Sequence, residues 1–250
     1  MTEARWAAST HARALVFVDE FVLDPAGGAS TIWIDGTDGH HLQRVRRLDV
    51  GESIVVADGR GSWYPGRITQ TRQGAVLVER VGPIGQEPTP TPRLTVGFAP
   101  AKHDHGTDVV HQLVELGVDR IIPLVTHRSV VRWDGDRGTK ALDRMRRVAR
   151  EAAMQCHRAR IPAVDPPTTL ANLHGAVGLL IGDPGGIRAE EVPFPDGGEW
   201  LAIIGPEGGF APEELASLRT TIRVRVGPHV LRSVTAPVAI AAALASRRSG

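Results

Sequence analysis

The sequence predicts an α/β protein of two domains, in which a small β-barrel is followed by a parallel α/β domain. Residues 14–81 contain short runs rich in Val, Ile, Trp and Tyr that are separated by turn signals, which is typical of a small barrel. A linker rich in proline and glycine follows at Pro83–Pro92, and after it the apolar spacing changes to alternating strands and helices. The predicted domains are therefore 1–85 and 93–250, joined by 86–92.

The composition limits the classes of function. A chain of 250 residues with 42% hydrophobic content can bury one large core or two modest ones. The net charge is +1, so a nucleic-acid surface must be local. The single cysteine excludes a disulfide framework and a cysteine-based zinc site, and the ten histidines show no metal spacing, so we expect no metal. No apolar run could span a bilayer and no signal peptide is recognisable, so we expect a cytoplasmic protein without a membrane partner.

Five strands and one helical insert are predicted in the first domain. The insert runs from His40 to Leu48, where Leu42, Val45 and Leu48 fall three apart and should face the core. Arg44 and Arg47 are then left largely on another face, which is either solvated or in contact with an RNA backbone. The strands are Leu15–Val18, Thr31–Ile34, Ser53–Ala57, Trp63–Thr69 and Ala75–Val81.

The second domain opens with a strand–helix–strand unit, which begins a parallel sheet. Its parts are Leu94–Phe98, Asp104–Leu116 and Arg120–Val125. A long helix follows at Thr139–Arg160, and its apolar stripe includes Cys156. We therefore interpret this cysteine as a core residue and most arginines of the helix as a solvated face.

Three further apolar runs each end at a loop rich in glycine and proline. The runs are Val177–Ile181, Leu201–Ile204 and Ile222–Val226. Glycine lets a backbone approach a ligand closely, and proline stiffens the same loop. Side by side, three such strand ends would form a rigid pocket walled by backbone amides, which is where an α/β sheet binds a nucleotide-like ligand. One loop alone would be an ordinary turn, and no dinucleotide or P-loop motif is present.

The loops carry a family resemblance. Gly205-Pro-Glu-Gly-Gly-Phe and the segment 226–237, Val-Gly-Pro-His-Val-Leu-Arg-Ser-Val-Thr-Ala-Pro, resemble the methyl-donor site of the SPOUT methyltransferases. More closely, they resemble the branch that methylates N3 of a uridine in small-subunit ribosomal RNA. The segment 41–59 is similar to the PUA-like RNA-binding domain of that branch, and Glu-Ala-x-x-Gln-x-x-Arg at 151–158 is similar to a signature of its catalytic domain.

The resemblance implies a fold, a cofactor and partners. The fold would be a PUA-like β-barrel followed by a SPOUT domain with a C-terminal trefoil knot. The cofactor would be S-adenosyl-L-methionine, and the partners would be 16S rRNA or the small ribosomal subunit and a second copy joined through the knotted domain. The apolar helix Pro237–Ala245 would then pack against that copy, unless its own domain buries it.

Site residues follow from the same resemblance. Arg232 is the first candidate to stabilise the uridine anion and Arg128 the second; for either, a structural salt bridge is the alternative. The RNA-binding candidates are His41, Arg44, Arg46, Arg47, Lys102, Gln155 and Arg158. The cofactor cradle comprises Ile181, Gly182, Ile204, Gly205, Pro206, Glu207, Gly208, Gly209, Val226, Gly227, Leu231, Ser233, Thr235 and Ala236.

One position departs from the family pattern. Val234 stands where the family usually has a glutamate, and either the site is weakened or Glu207 substitutes for the missing carboxylate. Two other functions therefore stay open. The chain could methylate another rRNA position, such as a ribose 2′-hydroxyl, or it could bind rRNA without catalysis.

Overall fold

A computed structural model describes residues 12–21, 30–101, 105–129, 131, 133–196, 198–218 and 222–248. Its contacts divide the chain into two compact units. Unit 1 comprises the chain up to Pro88 together with Ala153–Ile161, and unit 2 comprises Thr89–Ala152 and the chain from Pro162. The sequence analysis assigned 153–161 to the second domain, whereas its contacts place it in unit 1.

Unit 1 is built on a six-stranded sheet. The order is β1-β3-β4-β5-β2, with β6 paired to β4; β1 and β3 are parallel, and every other pair is antiparallel. The five predicted strands are confirmed, and the two-residue β6 had no recognisable pattern. The strands are β1 Leu15–Phe17, β2 Thr31–Ile34, β3 Ser53–Ala57, β4 Ser62–Arg72, β5 Ala75–Arg80 and β6 Gly85–Gln86.

The helical insert differs from its prediction at one position. It consists of a short helix, α1 (Gly36–His40), and a single π-helical turn, His41–Val45. Leu42 and Leu48 are 2% and 3% exposed, as predicted, but Val45 is 63% exposed. A π-helix has more residues per turn than an α-helix, because its hydrogen bonds span five residues. Position i+3 is thereby rotated off the buried face, and the inward prediction for Val45 was wrong.

The segment 153–161 continues unit 1 by main-chain pairing. Ile161 N donates to Gly59 O at 2.9 Å, and Gly61 N donates to Ala159 O at 3.2 Å. Cys156 is exposed, so its assignment to the core was wrong. The helix ends one residue earlier, at Gln155, so the stripe does not extend to the cysteine.

Unit 2 is built on a seven-stranded parallel sheet. The order is β10-β8-β7-β12-β11-β13, with β9 also paired to β8. The strands are β7 Arg93–Phe98, β8 Arg120–Val125, β9 Ala163–Val164, β10 Thr168–Thr169, β11 Leu179–Arg188, β12 Glu199–Ile204 and β13 Ile222–Arg225. The helices are α2 His105–Glu115, α3 Gly135–Gln155, α4 Pro212–Ala216 and α5 Ala236–Ala245, with 3-10 turns at Leu170–Leu173 and Ala189–Glu191.

Helix α5 is buried within its own unit. It packs against β7, β12 and α2, and its inward face consists of Pro237, Ile240, Ala241 and Leu244. The burial inside its own domain that was considered for this helix is observed, and its packing against a second copy stays a prediction. None of the described helices is both long enough and apolar enough to cross a membrane.

A buried arginine fixes the chain beyond α5. Arg248 forms an ion pair with Asp119, and each side chain is 3% exposed. The Arg248 guanidinium also donates to Gly117 O and Pro92 O, both at 2.8 Å, and Asp119 accepts from Leu94 N at 2.9 Å. The pair therefore joins the segment that follows α5 to the start of β7 and to the turn before β8.

Replacing Arg248 with methionine should lower the free energy of unfolding of unit 2. Removing one partner of a buried ion pair leaves the other charge unpaired, which costs about 3–5 kcal/mol. Urea denaturation followed by the fluorescence of the buried Trp200 measures the loss. Arg188→Ala, which removes an exposed arginine paired with Glu190, is the matched control and should leave the transition unchanged. Equal transitions for the two variants would contradict the anchoring role of Arg248.

Candidate functional site

The three glycine-rich loops lie side by side. Strands β12, β11 and β13 are neighbours, and all run parallel. Ile181 of β11 pairs with Ile203 of β12, and Gly182 pairs with Val224 of β13. Their carboxyl ends therefore meet at one edge of the sheet, as the sequence predicted. This edge is the candidate site.

The loop within β11 bulges away from β13 and returns to it. An added Cβ at Gly186 would lie 2.3 Å from the carbonyl carbon of Arg223, so only glycine fits there. Asp183 fixes the bulge, because its carboxylate accepts from Gly185 N at 2.8 Å and from Arg223 Nη1 at 2.7 Å. The Asp-Pro-Gly-Gly sequence predicted the turn, but nothing in the sequence indicated the ion pair between Asp183 and Arg223 of β13.

The loop after β12 is a tight turn. Gly209 N donates to Pro206 O at 2.8 Å, and Gly209 has a φ of +69°, which glycine adopts without strain. Helix α4 begins just beyond this turn. Its Glu214 is 8% exposed and accepts from Ala211 N at 2.9 Å, which satisfies an amide at the start of the helix.

The loop after β8 is attached to this turn and to α4. His127 N donates to Glu214 Oε1 at 3.0 Å, and the His127 ring lies 3.2 Å from Glu213 Oε1. Arg128 Nη1 donates to Gly208 O at 2.5 Å. Arg128, predicted as the second anion-stabilising residue, therefore holds a main-chain carbonyl of the glycine-rich turn. The sequence analysis did not identify His127, Glu213 or Glu214 as part of the site.

A carboxylate joins the loop after β12 to the loop after β13. Ser233 Oγ donates to Glu207 Oε1 at 2.5 Å, and Ser233 is 7% exposed. This hydrogen bond holds the pKa of Glu207 below its ordinary value of 4.5, so the carboxyl is ionised at neutral pH. Glu207 therefore reaches from the loop after β12 to the residue that precedes Val234.

Arg232 lies next to this contact and is exposed. Its guanidinium bonds to no carboxylate or carbonyl among the described residues, so the salt bridge considered for it is not formed there. The main chain of Arg232 is fixed, because its carbonyl accepts from Thr235 N and Ala236 N, both at 2.9 Å. Arg232 therefore combines a fixed main chain with an exposed guanidinium group, which suits the binding of an anion.

The predicted cradle residues differ in exposure. Ile181, Ile204, Pro206 and Ser233 are buried, while Glu207, Gly208 and Gly227 are exposed. Thr235 precedes α5 as its N-cap residue but its side chain makes no capping bond. Gly182, Gly205, Gly209, Val226, Leu231 and Ala236 are half-buried.

The predicted RNA-binding residues differ in exposure. Arg44, Arg46, Arg47 and Gln155 are exposed and His41 is half-buried. Arg158 is 8% exposed and its charge acts on Glu87, so its position suits a structural role in unit 1 better than a phosphate contact. Lys102 lies outside the described residues. No group of His, Cys, Asp or Glu side chains that could bind a metal ion occurs within the described ranges.

Comparisons with known proteins show the family to which this chain belongs. Residues 87–245 match the family described as an RNA methyltransferase domain, and residues 34–79 match the RNA methyltransferase PUA domain. The chain is 35% identical to ribosomal RNA small subunit methyltransferase E of Mycobacterium bovis, over 89% of this chain and 87% of that protein. It is 24% identical to the protein of the same name from Bacillus subtilis, over 84% and 88% of the two chains.

The fold agrees with a solved structure. Ribosomal RNA small subunit methyltransferase E from Neisseria gonorrhoeae, bound to S-adenosyl methionine, superposes with a TM-score of 0.82. The match covers 94% of this chain and 97% of that one at 24% sequence identity. With the family match over more than half of the chain, the conclusion is direct: this protein belongs to the family of ribosomal RNA small subunit methyltransferases E.

Proposed function

We propose that this chain transfers a methyl group from S-adenosyl-L-methionine to N3 of a uridine in 16S rRNA. The observation that carries the proposal is the Glu207–Ser233 contact, which joins two glycine-rich loops at the edge of a parallel sheet. The exposed guanidinium of Arg232 lies next to it. Membership of the rRNA methyltransferase family supports the reaction class, and the N3 position rests on the resemblance of the loops.

The residues present fit this cofactor. An added Cβ at Gly209 or Gly227 would meet no atom within 4 Å, so the main chain borders open space at both loops. Backbone amides and carbonyls there suit the adenine and ribose. The Glu207 carboxylate offers a negative charge to a ligand that carries a sulfonium and an ammonium group. When bound, the cofactor supplies an electrophilic methyl group, so neither a metal nor a covalent intermediate is required.

The protein must align the acceptor nitrogen and stabilise the charge that develops on the uracil ring. Loss of the N3 proton leaves negative charge on the flanking carbonyl oxygens. The guanidinium of Arg232, which has no partner in the described part of the chain, can donate to such an oxygen. Glu207 is a poor proton acceptor because its pKa is lowered, so we assign to it the holding of the loops and not the removal of the proton.

Assembly and location complete the proposal. From the family resemblance we infer a deep trefoil knot in the C-terminal half and a homodimer joined through that half. We also propose a cytoplasmic location, as expected from the sequence. Burial of α5 within its own unit leaves part of its surface, including the half-buried Val238 and Ala242, for a second copy. Sedimentation analysis of the full chain tests the dimer.

Arg232→Ala should lower the rate of methyl transfer by roughly 100-fold, because a donor to the developing anion is lost. The assay transfers labelled methyl groups to small ribosomal subunits that lack their own modification, and mass spectrometry identifies the product nucleoside. We expect 3-methyluridine with the wild-type chain. Arg93→Ala, which removes an exposed arginine at the start of β7 and therefore at the opposite edge of the sheet, should keep the wild-type rate.

The same assay separates the alternatives. A 2′-O-methylated nucleoside would replace the N3 proposal with ribose methylation. Cofactor binding without transfer to RNA would establish the non-catalytic alternative, in which Val234 has abolished turnover. Full activity of Arg232→Ala would remove that residue from the mechanism.

Ser233→Ala removes the hydrogen bond between the two loops, and Glu207→Gln replaces its ionised acceptor with a neutral one. Each should therefore weaken cofactor binding roughly tenfold. The double variant should lose little more than Glu207→Gln alone, because both changes act on the same contact. Isothermal titration measures the affinities. The control is Glu115→Gln, which changes an exposed carboxylate at the end of α2, just before β8 begins and therefore at the opposite edge of the sheet.

The contact should persist over a wide pH range. The pKa of Glu207 is lowered in the folded protein, so the stabilisation is complete above the unfolded value of 4.5 and is lost only as the pH falls through the lowered pKa. Cofactor binding that depended on pH between 6 and 8 in the wild type, but not in Glu207→Gln, would contradict this assignment.

A further inference from the structure

Trp33 lies on the outer face of the sheet in unit 1. It alternates along β2 with Ile34, which is 5% exposed and belongs to the core. Across the sheet Trp33 pairs with Leu77, which in turn pairs with Gln70 of β4. Directly paired residues project from the same face, so this row points away from the core. The half-buried indole therefore does not belong to the core of unit 1.

The side chain of Arg72 covers this ring. Its guanidinium carbon is 4.1 Å from the centroid of the Trp33 ring, which is a cation–π contact. Arg72 is exposed and pairs with no carboxylate in the described part of the chain. Glu79 carries a carboxylate on the same face, but Glu79 pairs across the strands with Arg67, whereas Arg72 pairs with Ala75. One plane of the guanidinium faces the indole, and its other plane and its donors remain available.

Further arginines gather at the same end of the sheet. Gly74, in the turn between β4 and β5, donates its amide to Gln43 Oε1 at 2.8 Å, so the π-helical turn lies against the hairpin that carries Arg72. An added Cβ at Gly39 would be 2.6 Å from Gly74 O, which shows how closely α1 approaches the same turn. Three arginines follow Gln43, namely Arg44, Arg46 and Arg47. Their side chains are exposed and form no ion pairs among the described residues.

We propose that Trp33 and Arg72 form a stacking platform for an unpaired RNA base, with Arg44, Arg46 and Arg47 binding the adjacent phosphates. Bases of single-stranded RNA stack on aromatic rings and on guanidinium planes. In a duplex the base faces are covered by their neighbours, so the platform selects unpaired nucleotides. Four arginines that have no carboxylate partner within the described ranges, beside a half-buried aromatic ring on the outer face of the sheet, complement a chain of phosphates and bases.

This platform deepens the proposed function, because it names a part of the RNA substrate that the first unit would hold. RNA binding is measured without S-adenosyl-L-methionine, so the result does not depend on methyl transfer. The platform is assigned to unpaired nucleotides in general, since stacking discriminates poorly among bases.

The test compares two labelled oligomers of about ten nucleotides, oligouridine and an abasic strand with the same backbone. Fluorescence anisotropy measures their affinities for the full chain. Trp33→Ala should weaken oligouridine binding roughly tenfold and leave abasic binding unchanged, because only stacking is lost. Trp33→Phe should retain most of the affinity. Arg72→Ala should weaken both oligomers, because a charge is lost as well.

Arg13→Ala is the matched control in unit 1. It removes the same charge, but its guanidinium is already paired with Glu52 at 2.7 Å, so neither affinity should change appreciably. Thermal melting checks that all variants are folded. Equal oligouridine affinity of the wild type and Trp33→Ala would overturn the proposal. An equal loss on both oligomers in Trp33→Ala would also overturn it, since that result indicates a structural effect of the ring.

Discussion

The candidate site depends on the close approach of β11 and β13 at Gly186. A side chain at this position would collide with the backbone of Arg223, and without the approach the third loop would not lie beside the second. Parallel pairing then brings three strand ends to one edge, where Asp183, Glu207 and Arg128 each bond to a neighbouring segment. The rigid loops predicted from glycine and proline are therefore cross-linked by side chains as well.

Much of the fold was predictable because its signals are local. Strands β2, β3 and β8 have the bounds that the sequence predicted, since alternation and turn residues mark strand ends directly. The three-loop edge was also predictable, because parallel strands that end in similar loops must place those loops together. The family resemblance then supplied the reaction, which no periodicity contains.

The failures have physical causes. The exposed Val45 follows from a π-helical turn, and apolar spacing cannot distinguish such a turn from an α-helix. Cys156 was misjudged because the helix stops at Gln155 and the apolar stripe ends with it. The partners of Arg128 and Glu207 lie 80 and 26 residues away in sequence, so only the tertiary structure reveals them.

The hydrogen bond between Glu207 and Ser233 also has a kinetic consequence. It couples two loops that leave different strands, and β11 separates those strands in the sheet. Neither loop can move outward without breaking this bond or carrying the other loop along. An outward movement of either loop is therefore coupled to the other, and the bond of Arg128 to Gly208 O opposes the same movement of the loop after β12.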